Sequence, residues 1–196
     1  STVSPAATRR IAEKLQRRGV AMLDAPVSGG QDGAEKGTLS VMVGGPAPVL
    51  ERCRHVLQIV GKTIVHVGDT GAGQVAKACN QIVIGVTIQA VAEALGLAKA
   101  LGVHPARVRA ALLGGSAHSS VLDLKGQRML DAHYDPGFRV RLHRKDLGIA
   151  LDAGKAAGVP LLTTALVDQL LAILSARGAD DLDNAALALL VDEWSR

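Results

Sequence analysis

Hydrophobic and polar positions along this chain follow two regimes that meet near Gly68. Up to that glycine, helical and extended stretches alternate. Ser4 followed by Pro5 marks a helix start, with a capping serine and a proline at the first helical position. That helix should run to about Arg18, where Gly19 supplies the glycine expected at a helix end. Val20 to Val27 predicts a strand, Thr38 to Val43 a second and Thr63 to Val67 a third. Between the last two, Pro46 to Val60 predicts a helix stopped at Gly61. This alternation is the mark of an α/β layer.

After Gly68 the pattern is helical throughout. One stripe runs from Gly71 to Leu101, longer than the roughly 8 to 20 residues usual for a helix. Gly85 and Gly96 inside it each cost about 1 kcal/mol relative to alanine, so close helix packing must hold this segment. A further helix starts at Pro105, and others fit Ser119 to Asp131, Arg141 to Ala157, Pro160 to Arg177 and Asp181 to Trp194. The pattern gives no strand beyond Gly68. The expected class is therefore α+β, leaning towards all-α. Residues 1–70 read as the closing part of a dinucleotide-binding α/β domain of Rossmann type, and residues 71–196 as an all-α domain hung on one long interdomain helix. A full dinucleotide-binding half carries about three more βα units upstream, so the sequence reads as part of a longer enzyme.

Composition narrows the picture. The chain is 48% hydrophobic, yet Trp194, Tyr134 and Phe138 are its only aromatic residues, so its cores must be built from Ala, Val, Leu and Ile. The net charge of +4 resides in short basic runs such as Arg52 to His55 and Arg139 to Lys145. Such runs serve either as solvated helix faces or as attraction for small anions. Scarce aromatics and the lack of a basic tail argue against nucleic acid. Cys53 and Cys79 lack the spacing of a metal or redox motif, and no histidine pair has helical metal spacing, so no metal is expected. A reducing cytoplasm fits. The most apolar run, Ile82 to Leu101, contains Gln89, Glu93 and Lys99, and reads as a buried helix and not a membrane span.

Chemistry concentrates in two blocks. DAPVSGG, from Asp24 to Gly30, is a strand running into a Gly-Gly turn with Ser28 at its lip. GAGQVAKACN, from Gly71 to Asn80, is a glycine-rich helix start with Lys77 and Asn80 on one face. Small residues let backbone amides approach a carboxylate, and an ammonium nearby can give a proton to a carbonyl. Gly71 to Ala76 also fits G-x-G-x-x-A, but no return strand or ribose-binding acid follows within about 30 residues, so the dinucleotide reading is set aside. Amides at this helix start remain expected to receive an anion or a developing oxyanion.

These blocks resemble the β-hydroxyacid dehydrogenases, the family of 3-hydroxyisobutyrate dehydrogenase and tartronate semialdehyde reductase. DAPVSGG with GTLSVMVGG, from Gly37 to Gly45, is similar to the family's substrate-binding block. GAGQVAKACN is similar to the block of its catalytic lysine, and Lys145-Asp146-Leu147 to its late Lys-Asp pair. The resemblance implies Lys77 as general acid, Ser28, Gly29, Gly30 and Asn80 as substrate-binding residues, and Thr2 and Lys145 as contacts of an NAD or NADP cofactor. It also implies a small carboxylate substrate. Asn80-Gln81, GGSAHSSVLD and PGFRVRLHRKDL look most like the tartronate semialdehyde reductases, which reduce 2-hydroxy-3-oxopropanoate to glycerate; 3-hydroxyisobutyrate dehydrogenase is the alternative. The family's glycine-rich nucleotide segment has no counterpart in these residues.

Plainer readings stand beside these. Lys77 alone would be a solvent-facing lysine, Ser28 to Gly30 an ordinary turn, Lys145 one charge in a basic helix start, and His118 a loop histidine. Asp146 reads as a first-turn helix acid. The long apolar helix also suits a homodimer or higher homo-oligomer, and a non-catalytic dimerisation module or a general anion-binding protein are the other function classes.

Overall fold

The alternating pattern up to Gly68 folds as a small sheet with helices, and among the described residues the named elements after it are all helices. The computed structural model describes residues 2–195. They form two compact units: one extends through Gln81 and includes Ile149–Val159, and the other comprises Ile82–Gly148 and the chain from Pro160 onward. This division falls inside the long helix, about one helical stretch later than residue 70.

In the first unit, α1 (Pro5–Gln16) starts as expected. Ser4 Oγ accepts from the Ala7 amide, and Gly19 takes φ +71° at the exit. Then come β1 (Val27–Ser28), α2 (Gly30–Glu35), β2 (Leu39–Gly44), α3 (Ala47–Val60) and β3 (Gly61–Gly68). The sheet order is β1-β2-β3. β1 pairs antiparallel with β2, Val27 opposite Val41 and Ser28 opposite Ser40. β2 runs parallel to β3, with Val41 opposite Ile64 and Val43 opposite His66. Parallel neighbours need a crossover, and α3 provides it. Alternation along β2 buries Leu39, Val41 and Val43, and the last two pack on Leu50 of α3 with Leu57 and Ile64 around them.

Two expectations in this unit need correction. The strand predicted over Val20 to Val27 shrinks to Val27–Ser28 plus an isolated bridge between Asp24 and Gly44. Pro26 lies between those two points and has no N–H to give to the ladder, although its carbonyl accepts from the Met42 amide. The Gly-Gly turn expected after Ser28 opens a six-residue helix, α2, which the sequence pattern did not predict.

α4 (Ala72–Ala100) leads from the first unit into the second. By length and apolar composition it could cross a membrane, yet half of its most apolar window is buried within the fold. The close approaches its glycines demanded are present. A Cβ on Gly85 would lie 3.2 Å from the His143 ring, and one on Gly96 only 2.6 Å from Val191 Cγ1. The second unit continues with α5 (Pro105–Leu113), α6 (Ser120–Leu130), α7 (Val140–Ala157, whose last turns return to the first unit), α8 (Leu162–Ala176) and α9 (Leu187–Trp194). Ile88, Leu147, Leu171, Leu174, Leu187 and Leu190 centre its core. The helix predicted from Asp181 instead begins with a 3₁₀ turn, Asn184–Ala186. Asp183 is extended, bridges to Arg139, and caps that turn through the Ala185 amide. Asp146 also departs from expectation. It sits in the second turn of α7, buried and ion-paired at 2.9 Å with Lys145, so the helix dipole at the first turn does not account for it.

Candidate functional site

An aspartate in the apolar stretch VAMLDAPV organises the start of α4. Asp24 is 4% exposed, and a carboxylate that far from water needs hydrogen-bond partners. Its Oδ1 accepts from the Gly71 amide at 2.7 Å and its Oδ2 from the Gln74 amide at 2.9 Å. The Ala72 amide bonds to the Asp69 carbonyl. The helix start was expected to receive an anion or a developing oxyanion; the chain's own Asp24 carboxylate takes the Gly71 and Gln74 amides there. The glycines of G-x-G serve this packing. A Cβ on Gly73 would lie 2.7 Å from the Asp24 carbonyl oxygen, and one on Gly44 2.6 Å from Asp24 Oδ1. The fingerprint-like spacing therefore gives Asp24 clearance against the start of α4.

Lys77 follows one turn later, half-buried, with its Nζ 3.4 Å from Asn80 Oδ1. The face-sharing expected from their i, i+3 spacing is present. Gln74 and Gln81 lie on the same side of the helix and are buried. Gln74 Oε1 accepts from the Val3 amide at 3.0 Å, which ties the neighbour of Thr2 to the turn before Lys77. Thr2 itself is buried. Ser28 is half-buried at the end of β1. Gly29 has φ +135°, a conformation L side chains rarely adopt, and a Cβ there would meet Leu39 at 3.0 Å; Gly30, at φ +65°, follows in open space. Thr2, Ser28, Gly29, Gly30, Lys77 and Asn80 all belong to the first unit. Lys145 belongs to the second, 49% exposed and paired with Asp146, and its ammonium is chemically fit to meet an anionic group. His118 lies in an exposed loop.

The sequence pattern gave Asp24 and Gln74 no role of their own, and Gln81 only its place in the Asn80-Gln81 pair. A signal existed: one acid in an apolar extended segment, and glutamines seven residues apart in an apolar helix. A cavity of about 660 Å³ along α1, bordered by Arg9, Glu13, Asp69 and Thr70, includes none of the predicted site residues. A smaller one of about 210 Å³ is bordered by Val3, Thr8, Asp24 and Gln74.

Residues 71–191 match the family described as NAD-binding of NADP-dependent 3-hydroxyisobutyrate dehydrogenase, and residues 1–68 match the NAD binding domain of 6-phosphogluconate dehydrogenase. The chain belongs to the β-hydroxyacid dehydrogenase family. This β-hydroxyacid dehydrogenase chain is 45% identical over 187 residues to the 2-hydroxy-3-oxopropionate reductase of Escherichia coli (strain K12), covering 95% of this chain and 64% of that protein. It is 43% identical over 170 residues to a 3-hydroxyisobutyrate dehydrogenase of Pseudomonas aeruginosa, covering 82% of this chain and 57% of the relative. It thus spans about three fifths of the length of these relatives. Two solved structures superpose on it: 3-hydroxyisobutyrate dehydrogenases from Salmonella typhimurium (TM-score 0.89, 32% identity, 97% of this chain and 67% of that one) and from Mycobacterium tuberculosis (TM-score 0.90, 34% identity, 97% and 68%). NAD or NADP is the cofactor of this family of oxidoreductases.

Proposed function

We propose that this chain is the substrate- and lysine-bearing part of a reductase that converts a small 3-oxo acid, tartronate semialdehyde, to glycerate. The observation that carries the reading is the half-buried Lys77 ammonium one turn into α4 with Asn80 Oδ1 at 3.4 Å. A bound nicotinamide supplies hydride to the aldehyde carbon. The carbonyl oxygen then gains negative charge, which Lys77 stabilises and quenches by giving up its proton. Asn80 orients the lysine and bonds the substrate. The backbone of Gly29 and Gly30 and the Ser28 hydroxyl receive the substrate carboxylate. Thr2 and Lys145 would hold the cofactor. In this reading residues 1–70 close a dinucleotide-binding domain, and residues 71–196 form a substrate and dimerisation domain in a cytoplasmic homodimer or higher homo-oligomer.

The preference for tartronate semialdehyde rests on the 45% identity with the reductase over 95% of the chain. The 43% identity with a 3-hydroxyisobutyrate dehydrogenase supports the second reading, oxidation of that hydroxy acid. The test is reduction of tartronate semialdehyde with NADH and with NADPH, by this chain and by the same chain joined to the upstream portion its relatives possess. Turnover in the joined form supports the assignment. Two well-folded but inactive forms reject this substrate and bring methylmalonate semialdehyde forward. Light scattering measures the oligomer.

A further inference from the structure

We infer that Asp24 is a positioning residue for Lys77, and that Gln74 relays the same anchor to the Thr2–Val3 segment. The inference rests on the role of Lys77 in the reading above and names the residues that place it.

Asp24 uses both its backbone and its side chain to join β2 to the start of α4. Its backbone exchanges two hydrogen bonds with Gly44 of β2, Asp24 N to Gly44 O at 3.0 Å and Gly44 N to Asp24 O at 2.8 Å. Its side chain gives one oxygen each to the Gly71 and Gln74 amides. A serine or threonine cap holds one amide and leaves the helix some freedom about that bond. Two carboxylate oxygens on two amides of one turn fix the axial position and also the rotation of the helix. α4 is rigid from that turn onward, so its rotational phase decides where the Lys77 side chain points three residues later. Gly44 and Gly73 provide the clearance, since a Cβ on either would strike Asp24.

Gln74 carries the anchor further. Its amide is held by Asp24, and its side-chain oxygen accepts from the Val3 amide at 3.0 Å. Thr2–Val3 is therefore indexed on the same helical turn. Ser28 to Gly30 follow Asp24 by four to six residues along the same segment. The three stretches that carry the predicted cofactor contact, the carboxylate turn and the lysine thus share one fixed point. Asp24 reaches the lysine's helix through its carboxylate, the Thr2–Val3 segment through Gln74, and the carboxylate turn along its own backbone.

The test uses the 196-residue chain, with amide hydrogen exchange and the ¹³Cε resonance of Lys77 followed by NMR. Asp24→Asn keeps the shape but turns an N–H towards an N–H. Exchange at Gly71, Gln74 and Val3 should accelerate by about tenfold or more. The Lys77 signal should shift its position, while the Val41 ladder amide keeps its protection. If the cap amides loosen but Lys77 and Val3 stay as in the parent, Asp24 is a structural cap and the inference is wrong. Gln74→Met, which spares the cap, gives an answer even where Asp24→Asn does not fold: Val3 exchange must accelerate with Gly71 unchanged, and an unchanged Val3 overturns the relay. Absence of hydride transfer by both this chain and the joined form would sink the functional reading instead, and these readouts would still decide the placement.

Discussion

The Lys125 ammonium lies 2.8 Å from both carboxylate oxygens of Asp183, a residue with no exposed surface. The amides of Gly137, Phe138 and Ala185 donate to the same carboxylate at 3.1, 2.9 and 3.0 Å. This pin joins α6, the loop before α7 and the turn before α9 within the second unit.

Removing one partner of a buried ion pair leaves the other uncompensated. Asp183→Ala should therefore cost about 3–5 kcal/mol. Lys125→Met should cost less, because three amides still hold the carboxylate. Urea unfolding of both variants checks the order; equal losses would mean that the amides contribute little.

The same pair sets an acid limit. Burial pushes the Asp183 carboxyl up, but the Lys125 charge and hydrogen bond, with the Phe138 and Ala185 amides, hold it below its ordinary value of 3.8. The unfolded chain therefore takes up this proton first. Stability from the group is complete above the ordinary value and is lost as pH falls through the lower folded one. The urea midpoint of the parent should drop more steeply than that of Asp183→Asn between about pH 5 and pH 2. Parallel curves would remove Asp183 from the acid response.

Two helical glycines should respond with opposite sign to alanine. A Cβ on Gly96 meets Val191 at 2.6 Å, so Gly96→Ala should destabilise by about 1–3 kcal/mol despite its better helix propensity. A Cβ on Gly148 meets nothing within 4 Å, so Gly148→Ala in α7 should stabilise by up to about 1 kcal/mol. Thermal melts of the two variants decide it.

At the proposed site, Lys77→Ala should lower kcat by about a hundredfold or more in whichever form turns over. Ser28→Ala should raise KM for the oxo acid and leave cofactor affinity in place. Steady-state kinetics separates the two, and equal loss of substrate and cofactor binding in Ser28→Ala would indicate misfolding.

Much of this was legible in the sequence because it depends on neighbours along the chain. The Ser4-Pro5 start, the β2–α3–β3 alternation, the long α4 stripe and the shared face of Lys77 and Asn80 follow from helical and strand periods of a few residues. The strand at Val20 to Val27 was misread for the complementary reason. Its alternation was right, but pairing needs a partner's hydrogen bonds and Pro26 withholds one.

What only the tertiary structure decided is where buried polar groups find partners. Asp24 looked like one acid in an apolar run, and G-x-G looked like an anion cradle. Folding brings residue 24 to residues 71 and 74 and shows that each explains the other. Asp183 finds Lys125 across 58 positions in the same way. Periodicity is a local property fixed by backbone geometry, whereas the satisfaction of a buried charge depends on which distant donors the packed core brings within 3 Å, and no spacing along the chain encodes that distance.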